Sequence, residues 1–222
     1  MRLGLFGIWY NSFMPFYVFA WIATIAFGFV TLLAKLTAKH SISNPWLFNI
    51  SWTFFTFLFT LPVALYNHAG LPTEWNMIIF AAVCNTLWFV FFTFANYKLD
   101  VSILSPLYNF RAIFAVLLGV FLLSEKLNKV QFIYFSVIIF GGICTSLDEK
   151  FSIKAFFNKS IAIAVTGMFF LALNSVFVNK VFQKNEFWTG TVWMLILTQL
   201  LLLTTFPLFK KDLKKISRKQ IY

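Results

Sequence analysis

Apolar positions in this chain gather into runs of about 18 or more residues with few or no charges, the length an α-helix needs to cross roughly 30 Å of hydrocarbon. The runs lie at about 15–37, 45–67, 75–97, 101–123, 130–147, 160–182 and 187–209. Barrel strands would be about ten residues long with apolar and polar positions interleaved, and that alternation is missing. Within lipid only helices and closed barrels satisfy their own backbone groups. The pattern therefore predicts an all-α membrane protein, a polytopic helical bundle of about seven transmembrane helices.

The links between runs carry turn and cap chemistry. Ser41-Ile42-Ser43-Asn44-Pro45 precedes the second run and Asn67-His68-Ala69-Gly70-Leu71-Pro72 the third. Asn128 and Gln131 have the spacing of a capping box opening the fifth. Trp46, Trp75 and Trp188 fall near predicted interfaces, where a ring with one polar edge anchors a helix end. Composition agrees: 60% of residues are hydrophobic and 11% charged, against about 45–50% and 25% in a soluble domain. The 32 Phe suit lipid-facing surface.

A net charge of +11 would point to nucleic acid in a soluble chain, but Lys210, Lys211, Lys214, Lys215, Arg218 and Lys219 alone supply six of the 18 basic residues. Such a tail reads as a cytoplasmic segment, and no aromatic interleaving marks a nucleic-acid surface. Arg2, Lys126, Lys129, Lys180 and Lys184 lie on the N-terminal side of the predicted topology, with twelve basic residues opposite. Charge alone thus puts the N-terminus outside. Cys84 and Cys144 both fall within predicted spans, as packing residues rather than a disulfide or metal pair.

Residues 1–13 read as an interfacial extension. They lack the polar break and small-residue cleavage site of a removable signal peptide, and Met14-Pro15 opens the first span with Pro in the first turn, which makes Met14 a candidate start. A gap-free shift of 145 residues lays Lys35 on Lys180, Lys39 on Lys184 and Pro62 on Pro207. It carries the first span onto the sixth and the second onto the seventh. An offset of five spans, an odd number, inverts the second copy, an architecture recurrent in secondary transporters. The expected organisation is an N-terminal extension at 1–13, a five-helix repeat at 14–147, a linker at 148–158, the first two helices of a second repeat at 159–209 and a basic tail at 210–222. The second copy is incomplete as it stands, so the chain reads as part of a longer protein or as a shortened one.

Two segments, MPFYVFAWIATIAFGFVTLLAKLTAKH and LDVSILSPLYNFRAIFAVLLGVFLLSEKLNKVQFIYFSVIIFGGI, resemble the EamA-type drug/metabolite transporters. The resemblance covers residues 14 to about 209. Its clearest part is Pro106, the Leu-rich run Leu117 to Leu123, Glu125 and Gly141-Gly142. Ser124 stands where family members commonly have Gly, and Asn49 lies near the place of an Arg often found in their second span. The resemblance implies ten helices with both termini cytoplasmic, at odds with the charge count, and transport of small molecules.

Candidate chemistry lies where polarity is expensive. Arg111 is the only charged residue deep within a predicted span, at a cost of about 2.5–3.5 kcal/mol on insertion scales. It borders a mostly small-residue face of Ser105, Tyr108, Ala112, Ala115 and Gly119. Pro106 removes the bond its N–H would make to Ser102, so a kink would open a carbonyl beside Tyr108, Asn109 and Arg111. These three form the preferred substrate-binding site, with an anionic or carboxylate-bearing ligand on the guanidinium. A snorkelling or helix-end-bound Arg111 is the structural alternative. Asn49, Asn85 and Asn174 are further amides within spans, suited to substrate or to a neighbouring helix. No predicted span contains Asp or Glu, so proton exchange on an intramembrane acid has no support.

No nucleotide loop, metal pair or Ser/His/Asp arrangement appears, and His40 and His68 lie in different loops. An intramembrane enzyme is therefore the weakest class, and no cofactor is expected. The sequence reads best as a multi-pass permease of the plasma (cytoplasmic) membrane, moving a small organic metabolite or drug by alternating access. A shortened, non-transporting subunit or pseudogene product is the runner-up. Membrane lipids and a small molecule are the expected partners, with a homo-oligomer or further helices needed to cover the second copy.

Overall fold

The computed structural model describes residues 16–100, 103–104, 107–123, 128–146 and 158–213. Among them the chain is helical throughout: α1 (Phe16–His40), α2 (Pro45–Tyr66), α3 (Asn76–Lys98), α4 (Phe110–Leu123), α5 (Lys129–Ser146), α6 (Lys159–Lys184) and α7 (Phe187–Leu203), followed by a 3-10 turn, Phe206–Leu208. The N-terminal extension, residues 148–157 of the linker and the tail from 214 lie outside the described residues, as do Ser102, Ser105, Pro106, Ser124, Glu125 and Lys126. Four helices, α1, α2, α3 and α6, are long and apolar enough to cross a membrane, and α4 and α7 are shorter apolar helices. The protein is a helical, multi-pass membrane protein.

The chain divides into two units, one ending at Ser43 and one starting at Asn44. The first contains α1, whose Thr24 and Thr31 hydroxyls donate to the carbonyls of Ala20 and Phe27 four residues back, so neither hydroxyl is left unmet in the apolar helix.

The second unit holds the other six helices, and several start where their cap chemistry predicts. Asn44 Oδ1 accepts from the backbone N–H of Trp46 at 2.9 Å, with Pro45 in the first turn of α2. Asn128 and Gln131 cap α5 reciprocally, each side-chain oxygen accepting the other's backbone N–H at 2.9 and 2.8 Å. Asn158 Oδ1 caps α6 through Ser160 N–H. Trp46, Trp75 and Trp188 all stand at helix ends. After α2, His68 takes the left-handed position usually given to Gly, with φ 58°.

The fourth predicted span contains a turn, and the seventh is shorter than expected. Among the described residues of the fourth, Ile103, Leu104 and Leu107 are helical, and the continuous helix α4 begins at Phe110. Leu99 is extended, Ile103 and Leu104 bond back to Asp100 O, and the chain turns at Tyr108-Asn109 before Arg111 and Ala112 bond to those two carbonyls at 3.1 Å. The 14 helical residues of α4 reach about 21 Å. The seventh ends at Leu203, not 209. Thr204 and Thr205 return their hydroxyls to Leu201 O and Leu202 O, and Pro207 donates nothing, so the chain tightens into the 3-10 turn. Pro62, by contrast, is carried inside α2, which runs on to Tyr66.

α6 lies against α3 and α4, while α7 lies against α2 and α3. Phe80 stacks on Phe177 and Phe91 on Phe170, with centroids 5.6 and 5.7 Å apart, so α3 and α6 are antiparallel. They approach closely because Gly167 has no side chain: a Cβ there would lie 3.2 Å from Phe91 Cβ. α2 and α7 are also antiparallel. Asn44 Nδ2 donates to Leu208 O at one end, Thr53 Oγ1 donates to Gln199 Oε1 midway, and Gly70 N–H donates to Thr189 Oγ1 at 3.1 Å at the other.

One end of this unit is closed by a clasp of loops. Buried Asn185 accepts from Thr73 N–H at 2.8 Å and donates from Nδ2 to Glu74 O at 3.3 Å. Thr73 Oγ1 donates to Lys184 O, Trp193 Nε1 donates to Gly70 O, and Trp75 meets Trp193 edge-on at 4.9 Å.

Candidate functional site

The polar candidates inside the spans fall into two groups on opposite sides of α3. Phe92 faces Tyr108 across 5.9 Å, while the next residue, Thr93, faces α2.

The first group lies where α3, α4 and α6 meet. Tyr108, at the turn before α4, packs against the cluster of Ala95, Leu104, Leu107, Ile161 and Ala164. Asn109 beside it is exposed. Arg111, in the first turn of α4, donates from Nη2 to Ser175 Oγ on α6 at 3.4 Å. The Ser175 hydroxyl donates in turn to Leu171 O at 3.0 Å, so its oxygen faces Arg111 as an acceptor.

The level of that contact decides how Arg111 should be read. α6 runs from Lys159 to Lys184, so Ser175 is well inside it. Phe110, next to Arg111, packs against the cluster near the start of α6, and Phe114 meets Phe169 edge-on at 5.5 Å. The Arg111 side chain therefore reaches along α6 away from its Lys159 end. Among the described residues no carboxylate pairs with it. The guanidinium stays exposed, with one of its five N–H donors engaged. Ala112 and Ala115 are half-buried and Gly119 is buried, in keeping with a small-residue face.

Asn174, adjacent to Ser175, is on the α3-facing side of α6, between the rings of Phe170 and Phe177 in sequence. Its Oδ1 is buried with no hydrogen-bond donor.

The second group joins α2, α3 and α7. Asn49 is fully buried; its Oδ1 accepts from Thr93 Oγ1, and its Nδ2 meets no acceptor. One turn on, Thr53 pairs with Gln199, and on α3 Asn85 Nδ2 donates to Thr198 Oγ1 at 3.2 Å. Asn49 and Asn85 thus belong to a seam of uncharged groups, apart from Arg111. Sequence reasoning missed Thr53, Thr93, Ser175, Thr198 and Gln199. Their signal was a hydroxyl or amide inside a long apolar run, which by itself does not tell a partner helix from lipid. Cys84 is a free, buried packing residue, and no cluster of metal-ligating side chains occurs among the described residues.

What this arrangement offers is a cation with no carboxylate partner among the described residues, beside the turn at Tyr108-Asn109, and a separate polar seam that binds helices together. No curated protein and no solved structure matches the chain. The model of the EamA-like transporter family matches residues 14–147, more than half of the 222. The chain therefore belongs to the EamA-like transporter family, a family of membrane permeases of the drug/metabolite type.

Proposed function

We propose that the protein moves a small, carboxylate-bearing organic metabolite across the cytoplasmic membrane by alternating access, along a path between α3 and α4 on one side and α6 on the other. The observation that carries this reading is Arg111: its guanidinium extends to Ser175, within α6, and has no acidic partner among the described residues. Holding a cation within a bilayer without a partner is expensive, and a substrate carboxylate in the planar fork of the guanidinium offsets the cost. The turn at Tyr108-Asn109 beside it matches the discontinuous helices that form midplane sites in transporters.

The antiparallel course of α2 and α7 supports the inverted repeat, since the 145-residue shift makes these two helices equivalent. Rocking of one copy against the other would then expose Arg111 to each side in turn.

The test is release of solutes from proteoliposomes loaded with a metabolite extract and read by mass spectrometry. At least one carboxylate-bearing solute should leave vesicles holding the full chain and be retained by empty vesicles and by Arg111→Gln. Identical release profiles for all three would overturn the proposal.

A further inference from the structure

The hydrogen bond between Arg111 and Ser175 joins a helix of the first repeat to the helix that opens the second, and it is long, at 3.4 Å. Its direction matters. The Ser175 proton is already given to Leu171 O, so what Ser175 offers Arg111 is an oxygen lone pair. A carboxylate oxygen offers the same guanidinium the same interaction with a full charge behind it, at shorter distance. The remaining donors of Arg111 have no acceptor among the described residues. The nearby contact of α4 with α6 is aromatic: Phe114, one turn on from Arg111, meets Phe169, and Phe169 meets Phe170 at 5.6 Å.

We infer that Ser175 Oγ stands in for a ligand's anionic oxygen at Arg111, so that this hydroxyl competes with the substrate and sets its affinity. The inference rests on reading Arg111 as the anion site of the transport proposal and adds to it a residue and a ligand class, an organic anion with an apolar or aromatic body. In the empty protein Arg111 ties α4 to α6; a bound carboxylate takes over the guanidinium and releases α6 from that tie. Ser175 is thus a positioning residue whose removal strengthens binding, opposite to the effect of deleting a ligand-contacting group.

The experiment measures binding of benzoate, and of benzamide as its uncharged counterpart, to the full chain in phosphatidylcholine nanodiscs by tryptophan fluorescence. Neutral-headgroup lipid keeps anionic lipid from supplying the competing oxygen. Ser175→Ala should bind benzoate roughly three- to tenfold more tightly, the scale of one lost competing hydrogen bond. Ser175→Thr should keep the wild-type constant, and Arg111→Gln should lose saturable binding. Benzamide should respond to none of these changes. In the absence of ligand Ser175→Ala should melt lower than wild type, so a purely structural role would weaken binding or leave it unchanged.

Equal or weaker benzoate binding by Ser175→Ala overturns the inference, as does absence of benzoate binding in every variant or equal behaviour of benzoate and benzamide. Binding with the expected Ser175 response, combined with no solute release from proteoliposomes, would leave the inference standing and remove the transport reading. Arg111-dependent release without a Ser175 effect would do the reverse.

Discussion

Asn49 and Thr93 meet between α2 and α3 in an incomplete match: the Thr93 hydroxyl donates to Asn49 Oδ1, and Asn49 Nδ2, fully buried, finds no acceptor. An amide has two ends, and the hydroxyl can serve one. A buried, unmet donor costs about 1–3 kcal/mol.

That imbalance predicts an unusual mutational pattern. Thr93→Val alone strips the amide of its remaining partner and should destabilise by about 1–3 kcal/mol. Adding Asn49→Leu removes the amide as well, and the double variant should recover to within about 1 kcal/mol of wild type. Thermal unfolding in detergent micelles checks this. A double variant markedly less stable than Thr93→Val would mean that the amide contributes through a contact other than Thr93.

Gly190 sets how closely α7 approaches α6. A Cβ at this position would lie 2.7 Å from Val181 Cγ1 and 3.2 Å from the Phe182 ring. Gly190→Ala should therefore cost about 1–3 kcal/mol through overpacking, and Val181→Ala should restore part of the loss. Gly28 has nothing within 4 Å of its Cβ position, so Gly28→Ala should be neutral or stabilise by up to about 1 kcal/mol through helix propensity. Melting temperatures of the three variants test both statements.

The Asn185 clasp holds the α2–α3 loop to the end of α6 through Thr73 and Glu74. Asn185→Leu keeps approximate size and removes all four side-chain bonds to the loop, leaving the Thr73 N–H without its 2.8 Å partner. The expected result is faster hydrogen exchange and proteolysis confined to residues 69–75, with global stability lowered by about 1–3 kcal/mol. Unchanged exchange in that loop would show that the bonds of Gly70 to Trp193 and Thr189 and of Thr73 Oγ1 to Lys184 O suffice to hold it.

The helices were legible in the sequence because their signals are local. A run of apolar residues long enough to span lipid, an Asn before Pro45, and Asn128 three residues before Gln131 each act through neighbouring backbone groups. The family was legible for a related reason, since its pattern is a series of such runs with small residues and a Pro at set places. Hydropathy overran at the seventh span, and missed a turn in the fourth, because it measures apolar length and not the hydrogen-bond ladder. Pro207 with two Thr hydroxyls, and the turn at Tyr108-Asn109, end regular helix while the residues remain apolar.

Partnerships were decided only by tertiary structure. Arg111, Asn49 and Asn85 look alike in one dimension, as polar groups inside apolar runs. The packing of α3 on α6, close where Gly167 admits Phe91, helps set which faces meet. With α3 between them, Asn49 pairs with Thr93 and Asn85 with Thr198 on one side, and Arg111 reaches Ser175 on the other. The sequence by itself determined that this chain crosses a membrane as helices, because burial in lipid depends on local hydropathy summed along a span. Which buried polar groups satisfy each other depends on the rotation and register of one helix against the next, settled by side-chain volumes at contacts more than a hundred residues apart in the chain, as Asn85 and Thr198 are.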